Sequence, residues 1–200
     1  MRARLLSLTD ETELDPRTGA VASKQTAELE VAAAEVAALW TPANLERLAR
    51  TYWSTLRRFS LGLVRVVYSE TERSVVLVSR RLPLLTFRAP EYEMETSRGL
   101  VRWRIDRGVL VSRRGRGGNG YLQIEVERSD DSRTGSTELR VEVEVANYYP
   151  ALGGVSKRLY AATQSRIHVL VCSLFLRRLL RRDLDTSRIG KLGGPPTPAG

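Results

Sequence analysis

Cysteine and histidine are nearly absent: Cys172 and His168 are the only examples of each in 200 residues. One thiol excludes an internal disulfide, and one thiol with one imidazole excludes a zinc or iron–sulfur centre built from Cys and His. No metal and no cofactor is expected. Lysine is scarce as well, with Lys24, Lys157 and Lys191 the only three among 32 basic residues. Together with abundant alanine, that arginine excess reads as codon composition before it reads as selection for a polyanionic partner. Long apolar runs are missing too. The most apolar stretch, Ile167 to Leu176, is ten residues with His168 inside it, whereas a membrane-spanning helix needs about 20. Near the amino end, Leu5 to Leu8 is followed at once by Asp10, Glu11 and Glu13, too short a run for a secretory signal. A cytoplasmic location is expected, and the free Cys172 agrees with a reducing compartment.

What is present describes a globular domain. Hydrophobic residues at 42% and charged residues at 28% lie near globular averages, which excludes wholesale disorder, collagen and disulfide miniproteins. The length suits one domain with a real core. The net charge of +9 is unevenly placed: residues 155–200 hold nine basic and two acidic residues, so the body before them is almost balanced.

Residues 9–25 mix Asp, Glu, Thr, Pro16 and Gly19 without an apolar period, so 1–25 is expected to be a lead-in loop. Ala27 to Leu39, rich in Ala, Glu and Leu, predicts a helix. Thr41 and Pro42 supply an N-cap and first-turn pair for a second, whose Leu45, Leu48, Ala49, Tyr52, Leu56 and Phe59 fall on one face. The period then changes to two. Val101, Trp103 and Ile105 alternate with arginines, Leu122, Ile124 and Val126 with Gln and Glu, and Leu139, Val141, Val143 and Val145 with Arg and Glu. These are half-buried strands, and apolar runs at 61–68, 74–80, 83–88 and 109–112 add further candidates. Short connections favour antiparallel pairing. From about Ser156 to Leu184 there is no Gly or Pro, and Tyr160, Gln164, Ile167, Val171, Leu174 and Phe175 mark a helical stripe. The Gly/Pro-rich 186–200 segment is expected to be a disordered tail. The expected fold is α+β of the helix-grip type: an N-terminal helix pair and an antiparallel sheet of six to eight strands wrapped around a long C-terminal helix.

One stretch carries a resemblance. Asn147-Tyr148-Tyr149-Pro150-Ala151-Leu152-Gly153-Gly154, then Leu159-Tyr160, then His168 eight residues after the tyrosine, resembles the closing signature of an uncharacterised bacterial subfamily in the START-like (SRPBCC, polyketide cyclase and lipid-transport) superfamily. Ala161 stands where a tryptophan often follows that tyrosine, and Arg166 where a proline often precedes the histidine. The superfamily places a strand before its helices, and Arg4 to Leu8 is the candidate for it. The resemblance implies one START-like domain over 26–185, with an apolar cavity between sheet and last helix. It further implies a lipid or polyketide-like ligand, in a superfamily of carriers, cyclases and binding-only proteins.

Candidate site residues follow. Trp103, Tyr160, Gln164, Ile167 and His168 are the expected ligand wall, Trp103 because it alternates inward with Val101 and Ile105. If the chain is an enzyme, His168 is the general base and Tyr160 the hydrogen-bond donor of a cyclase or hydro-lyase; the balance is against catalysis, since a lone His beside an apolar stripe is more often structural. Tyr160 and His168 point about 80° apart on a helix. Cys172 reads as a small buried hydrophobe. The glycines at 115, 117, 118 and 120 precede a strand, not a helix N-terminus, so they read as a hairpin connection and not a phosphate loop. Glu91, Glu93 and Glu95 read as a solvated strand face opposite Arg102 and Arg104. Arg177, Arg178, Arg181 and Arg182 have three readings: compensation of the helix dipole, docking to an anionic membrane surface, and nucleic-acid binding, which no accompanying motif supports.

Overall fold

Residues 4–32, expected as a lead-in loop running into a helix with Arg4 to Leu8 the one candidate strand, form a long β-hairpin. Strand β1 is Arg4–Leu14 and β2 is Val21–Ala32, paired antiparallel from Arg4 opposite Glu30 to Leu14 opposite Val21. The computed structural model describes residues 4–61, 64–68, 72–77, 82–131, 135–151, 171, 174–178 and 184. Helix propensity misled at Ala27–Ala32 because it is a weak prior. Ala27, Leu29 and Val31 are buried while Glu28 and Glu30 are not, a period of two that pairing with β9 (Ser136–Tyr148) exploits on β2's other side. The turn between β1 and β2 is built by Asp15, whose Oδ1 accepts from the backbone N–H of Arg17 (2.8 Å) and Thr18 (3.2 Å) and whose Oδ2 accepts from Thr18 Oγ1 (2.6 Å). The Thr18 hydroxyl and these amides hold the Asp15 carboxyl below its ordinary range. A depressed folded-state pKa contributes stability above the unfolded value and loses it as pH falls through the folded one. NMR titration should therefore show the turn loosening only below about pH 4, and Thr18→Val should raise the Asp15 midpoint.

Two helices follow the hairpin: α1, Ala33–Leu39, and α2, Pro42–Phe59. Thr41 caps α2 as expected, its Oγ1 accepting from Asn44 N at 3.3 Å, with Pro42 in the first turn. The α2 face bearing Leu45, Leu48, Ala49, Tyr52 and Trp53 is buried. Seven further strands occupy 64–148: β3 (Val64–Tyr68), β4 (Glu72–Leu77), β5 (Leu82–Arg88), β6 (Glu91–Met94), β7 (Arg98–Arg107), β8 (Tyr121–Asp131) and β9. Among the described residues the sheet runs β1-β2-β9-β8-β7-β5-β4-β3, with β6 alongside β7. All pairs are antiparallel. The seven strands over 64–148 fall within the six to eight expected; β1, from the expected lead-in, and β2, from its end and the start of the expected first helix, bring the sheet to nine among the described residues.

Register sorts the sheet into an apolar and a charged face. Trp103, Leu122, Val145 and Ser23 align across β7, β8, β9 and β2, as do Gly99, Val126, Val141 and Ala27. The opposite face aligns Arg102, Gln123, Glu144 and Lys24. There Lys24 pairs with Glu142 at 3.0 Å and Arg98 with Glu125. Burial and a hydrogen bond to Glu144 push Tyr121 up to about 12. Of the arginines expected opposite the 91–95 carboxylates, Arg104 meets Glu91 at 2.7 Å. Arg102 turns instead to Gln123 Oε1, at 2.8 Å, and it is Arg98 that reaches Glu93, at 3.4 Å.

The core centres on Trp53 of α2, whose ring meets Tyr52, Phe87 and Trp103 edge-on at centroid distances of 5.2, 5.4 and 5.2 Å. Residues 174–178 are helical, and Val171, Phe175 and Leu176 are buried in the same cluster; Phe175 packs on Tyr52 at 5.8 Å. An antiparallel sheet whose apolar face is covered by α2 and by this C-terminal helical segment is the helix-grip α+β arrangement. The rest of the expected 156–184 helix lies outside the described residues. At the edge of the core, Gly108 has φ +143°, and a Cβ there would meet the Leu84 carbonyl. Gly108→Ala should therefore cost about 1–3 kcal/mol of backbone strain, measured by urea unfolding.

Candidate ligand cavity

The turn from α1 into α2 holds the helix pair off one end of the sheet. Trp40 closes α1, and its indole Nε1 donates to the Glu95 carbonyl at 2.9 Å while Arg128 lies over the ring at 5.3 Å. Those two anchors tie the helix corner to the β6–β7 connection and to β8. Beneath it is a cavity of about 370 Å³.

Its floor is the apolar face of the sheet, with Leu29 and Val31 from β2, Leu139 and Val141 from β9, Val126 from β8 and Gly99 from β7. Its roof is Val36 and Leu39 of α1 with Leu45 and Leu48 of α2, and Met94 and Leu184 complete the wall. At Gly99 a Cβ would come within 3.2 Å of Met94 Sδ and 3.6 Å of Leu45 Cδ1, so the missing side chain lets the roof settle close to β7 there. Polar groups enter chiefly along one ridge, Thr41, Asn44 and Arg47, spaced three apart on the first turns of α2. Arg47 Nη1 donates to Asn44 Oδ1 at 2.9 Å, and Asn44 Nδ2 donates to Thr41 Oγ1 at 3.1 Å. Glu35 and Trp40 border the same opening. The arrangement suits a molecule with an apolar body and one hydrogen-bonding end.

The expected wall residues fare differently. Trp103 does point to the apolar face, but it is only 1% exposed, packs against Trp53 and does not line this cavity. Tyr160, Gln164, Ile167 and His168 lie outside the described residues, as does Cys172. Of the four arginines, Arg177 is exposed. Arg178 instead turns to α2 and donates to Ser54 Oγ (2.6 Å) and Thr55 Oγ1 (3.0 Å); Arg181 and Arg182 lie outside the described residues. The 113–120 connection behaves as read: a short 3₁₀ turn at Arg113–Gly115 leads into β8, with Arg114 over the Tyr149 ring at 5.2 Å. No metal-ligating cluster occurs among the described residues, and none of their helices is long and apolar enough to cross a membrane. The rim ridge was missed. Its signal was there in Thr41, Asn44 and Arg47, a polar row beside the apolar stripe of α2 that solvation alone also explains.

Solved structures similar to the chain include CalU16 from Micromonospora echinospora, at 10% identity over 88% of this chain and 83% of that one, TM-score 0.32. Human STARD10 is similar at 8% identity over 86% and 73%, TM-score 0.35, and Ara h 8.0201 at 10% over 78% and 98%, TM-score 0.29. No family model matches the sequence, and no curated protein matches it.

Proposed function

We propose that the chain binds an apolar small molecule, a lipid or polyketide-like compound, in the cavity between the α1–α2 corner and the START-like sheet, without transforming it. The observation that carries this reading is the cavity itself. Its volume of about 370 Å³ falls within the range of about 300–1,000 Å³ typical of small-molecule sites. Its walls are contributed by seven separate elements, β2, β6, β7, β8, β9, α1 and α2. The Thr41–Asn44–Arg47 ridge orients the polar end of the ligand toward the opening, while the apolar body covers Leu139 and Val126. Binding needs no group beyond those that line the space.

Titration with 1-aminoanthracene, an apolar fluorophore, tests the proposal. Saturable fluorescence enhancement at one site per chain, reversed by a long-chain fatty acid or a polyketide-like aromatic, is the expected outcome. A probe that stays dark at all concentrations, or enhancement that never saturates, contradicts it.

A further inference from the structure

Among the described residues strand β1 is an edge of the sheet, and it is unlike the other strands. Ten of its eleven residues are exposed, including Leu5, Leu6, Leu8 and Leu14 at 44, 44, 50 and 46%. Among the described residues only β2 pairs with it. An edge of this length is a template for another strand, and natural proteins usually guard it with lysine, proline or inward-pointing charge. β1 contains neither lysine nor proline, its one irregularity is the register shift between Leu5 and Ser7, and its one charge on the apolar side of the sheet, Asp10, accepts from Gln25 Nε2 at 2.8 Å.

Charge along β1 is polarised. Arg4 stands at its start, and Asp10, Glu11 and Glu13 crowd its second half. An antiparallel copy of the same strand, related by a two-fold near Leu8 and Thr9, would bring Arg4 of each chain within a residue or two of Glu11 and Glu13 of the other. A parallel copy would stack the acidic halves. Among the described residues Arg4 is held at home by a 3.5 Å pair with Glu30 on side chains 75 and 40% exposed, a contact of the kind worth about 0–1 kcal/mol. Exchanging it for a partner's carboxylates costs little.

We propose that β1 pairs antiparallel with β1 of a second copy of this chain, joining two START-like sheets edge to edge in a two-fold dimer that covers the exposed leucines. Such an interface is isologous and closes on itself. β1 borders the cavity-floor strand β2 but contributes no residue to the cavity lining, so substitutions on it leave the cavity's own side chains in place.

Sedimentation velocity on the full chain tests this, over a concentration series up to about 100 µM, where a weak dimer is still populated. A monomer–dimer equilibrium is expected, weakened by about tenfold or more in Leu8→Lys, which puts a gatekeeping charge at the centre of the edge. Circular dichroism of that variant confirms that it is folded. Arg4→Glu should also weaken the dimer, and the triple variant Arg4→Glu, Glu11→Lys, Glu13→Lys should restore it, which a merely misfolded hairpin would not do. A monomer throughout the series, an open-ended polymer, or a dimer indifferent to Leu8→Lys and to the charge reversal overturns the proposal.

Discussion

Trp53→Ala should lower the unfolding free energy by about 3–5 kcal/mol, the cost of truncating a buried Trp to Ala when the surroundings relax only partly. Trp53 joins three parts of the molecule: its ring contacts Tyr52 on α2, Phe87 on β5 and Trp103 on β7. Through Tyr52 the same cluster reaches Phe175 in the C-terminal helical segment. Edge-to-face pairs add about 0.5–1.5 kcal/mol each beyond burial, so three lost at once put the effect at the upper end. At this chain length the melting temperature should fall by roughly 6–20 °C. The Trp53 Nε1 is buried without a hydrogen-bond partner. Trp53→Phe should accordingly cost much less than the alanine variant, because it removes an unpaired donor while keeping a ring. Urea unfolding of the two variants checks both values, and a loss under about 1 kcal/mol for Trp53→Ala would mean that this aromatic cluster does not hold the helices on the sheet.

Leu139→Trp should reduce 1-aminoanthracene affinity by at least about tenfold, or 1.4 kcal/mol. Leu139 sits on β9 in the floor of the cavity, half-buried, so an indole there grows into empty space and not into packed neighbours. Leu122→Met is the matched control. Leu122 is buried on the same sheet face but does not line the cavity, and a volume-conserving swap of this kind usually costs less than about 1.5 kcal/mol in stability. Affinity unchanged in Leu139→Trp and lost in Leu122→Met would place the ligand nearer Trp103 than the helix corner.

The strands β7, β8 and β9 were legible because each has one wet and one dry face, and Val101-Trp103-Ile105, Leu122-Ile124-Val126 and Leu139 to Val145 write that difference directly into the sequence. Beyond Arg4 to Leu8, which the resemblance alone suggested, β1 was not legible for the converse reason. It is an edge strand, exposed on nearly every residue, so no burial imposes an alternation on it. β2 does alternate, at Ala27, Leu29 and Val31, but in residues that also favour helix, and only its pairing with both β1 and β9 resolves the conflict. At the candidate site the limit is different. Alternation shows that Trp103 faces inward, yet it cannot distinguish a side chain packed on Trp53 from one facing empty space. Where the cavity lies depends on the angle at Trp40–Thr41 and on the absent side chain at Gly99, and neither leaves a periodic trace.

The measurement that bears most directly on the ligand-binding proposal is methyl NMR of the chain with labelled Leu and Val, titrated with 1-aminoanthracene and then with a long-chain fatty acid. Shifts and intermolecular nuclear Overhauser effects concentrated at Leu29, Val126, Leu139 and Val141, with Val66 and Val75 at the far end of the sheet unmoved, are the predicted result. Saturation with those four residues unperturbed would contradict it.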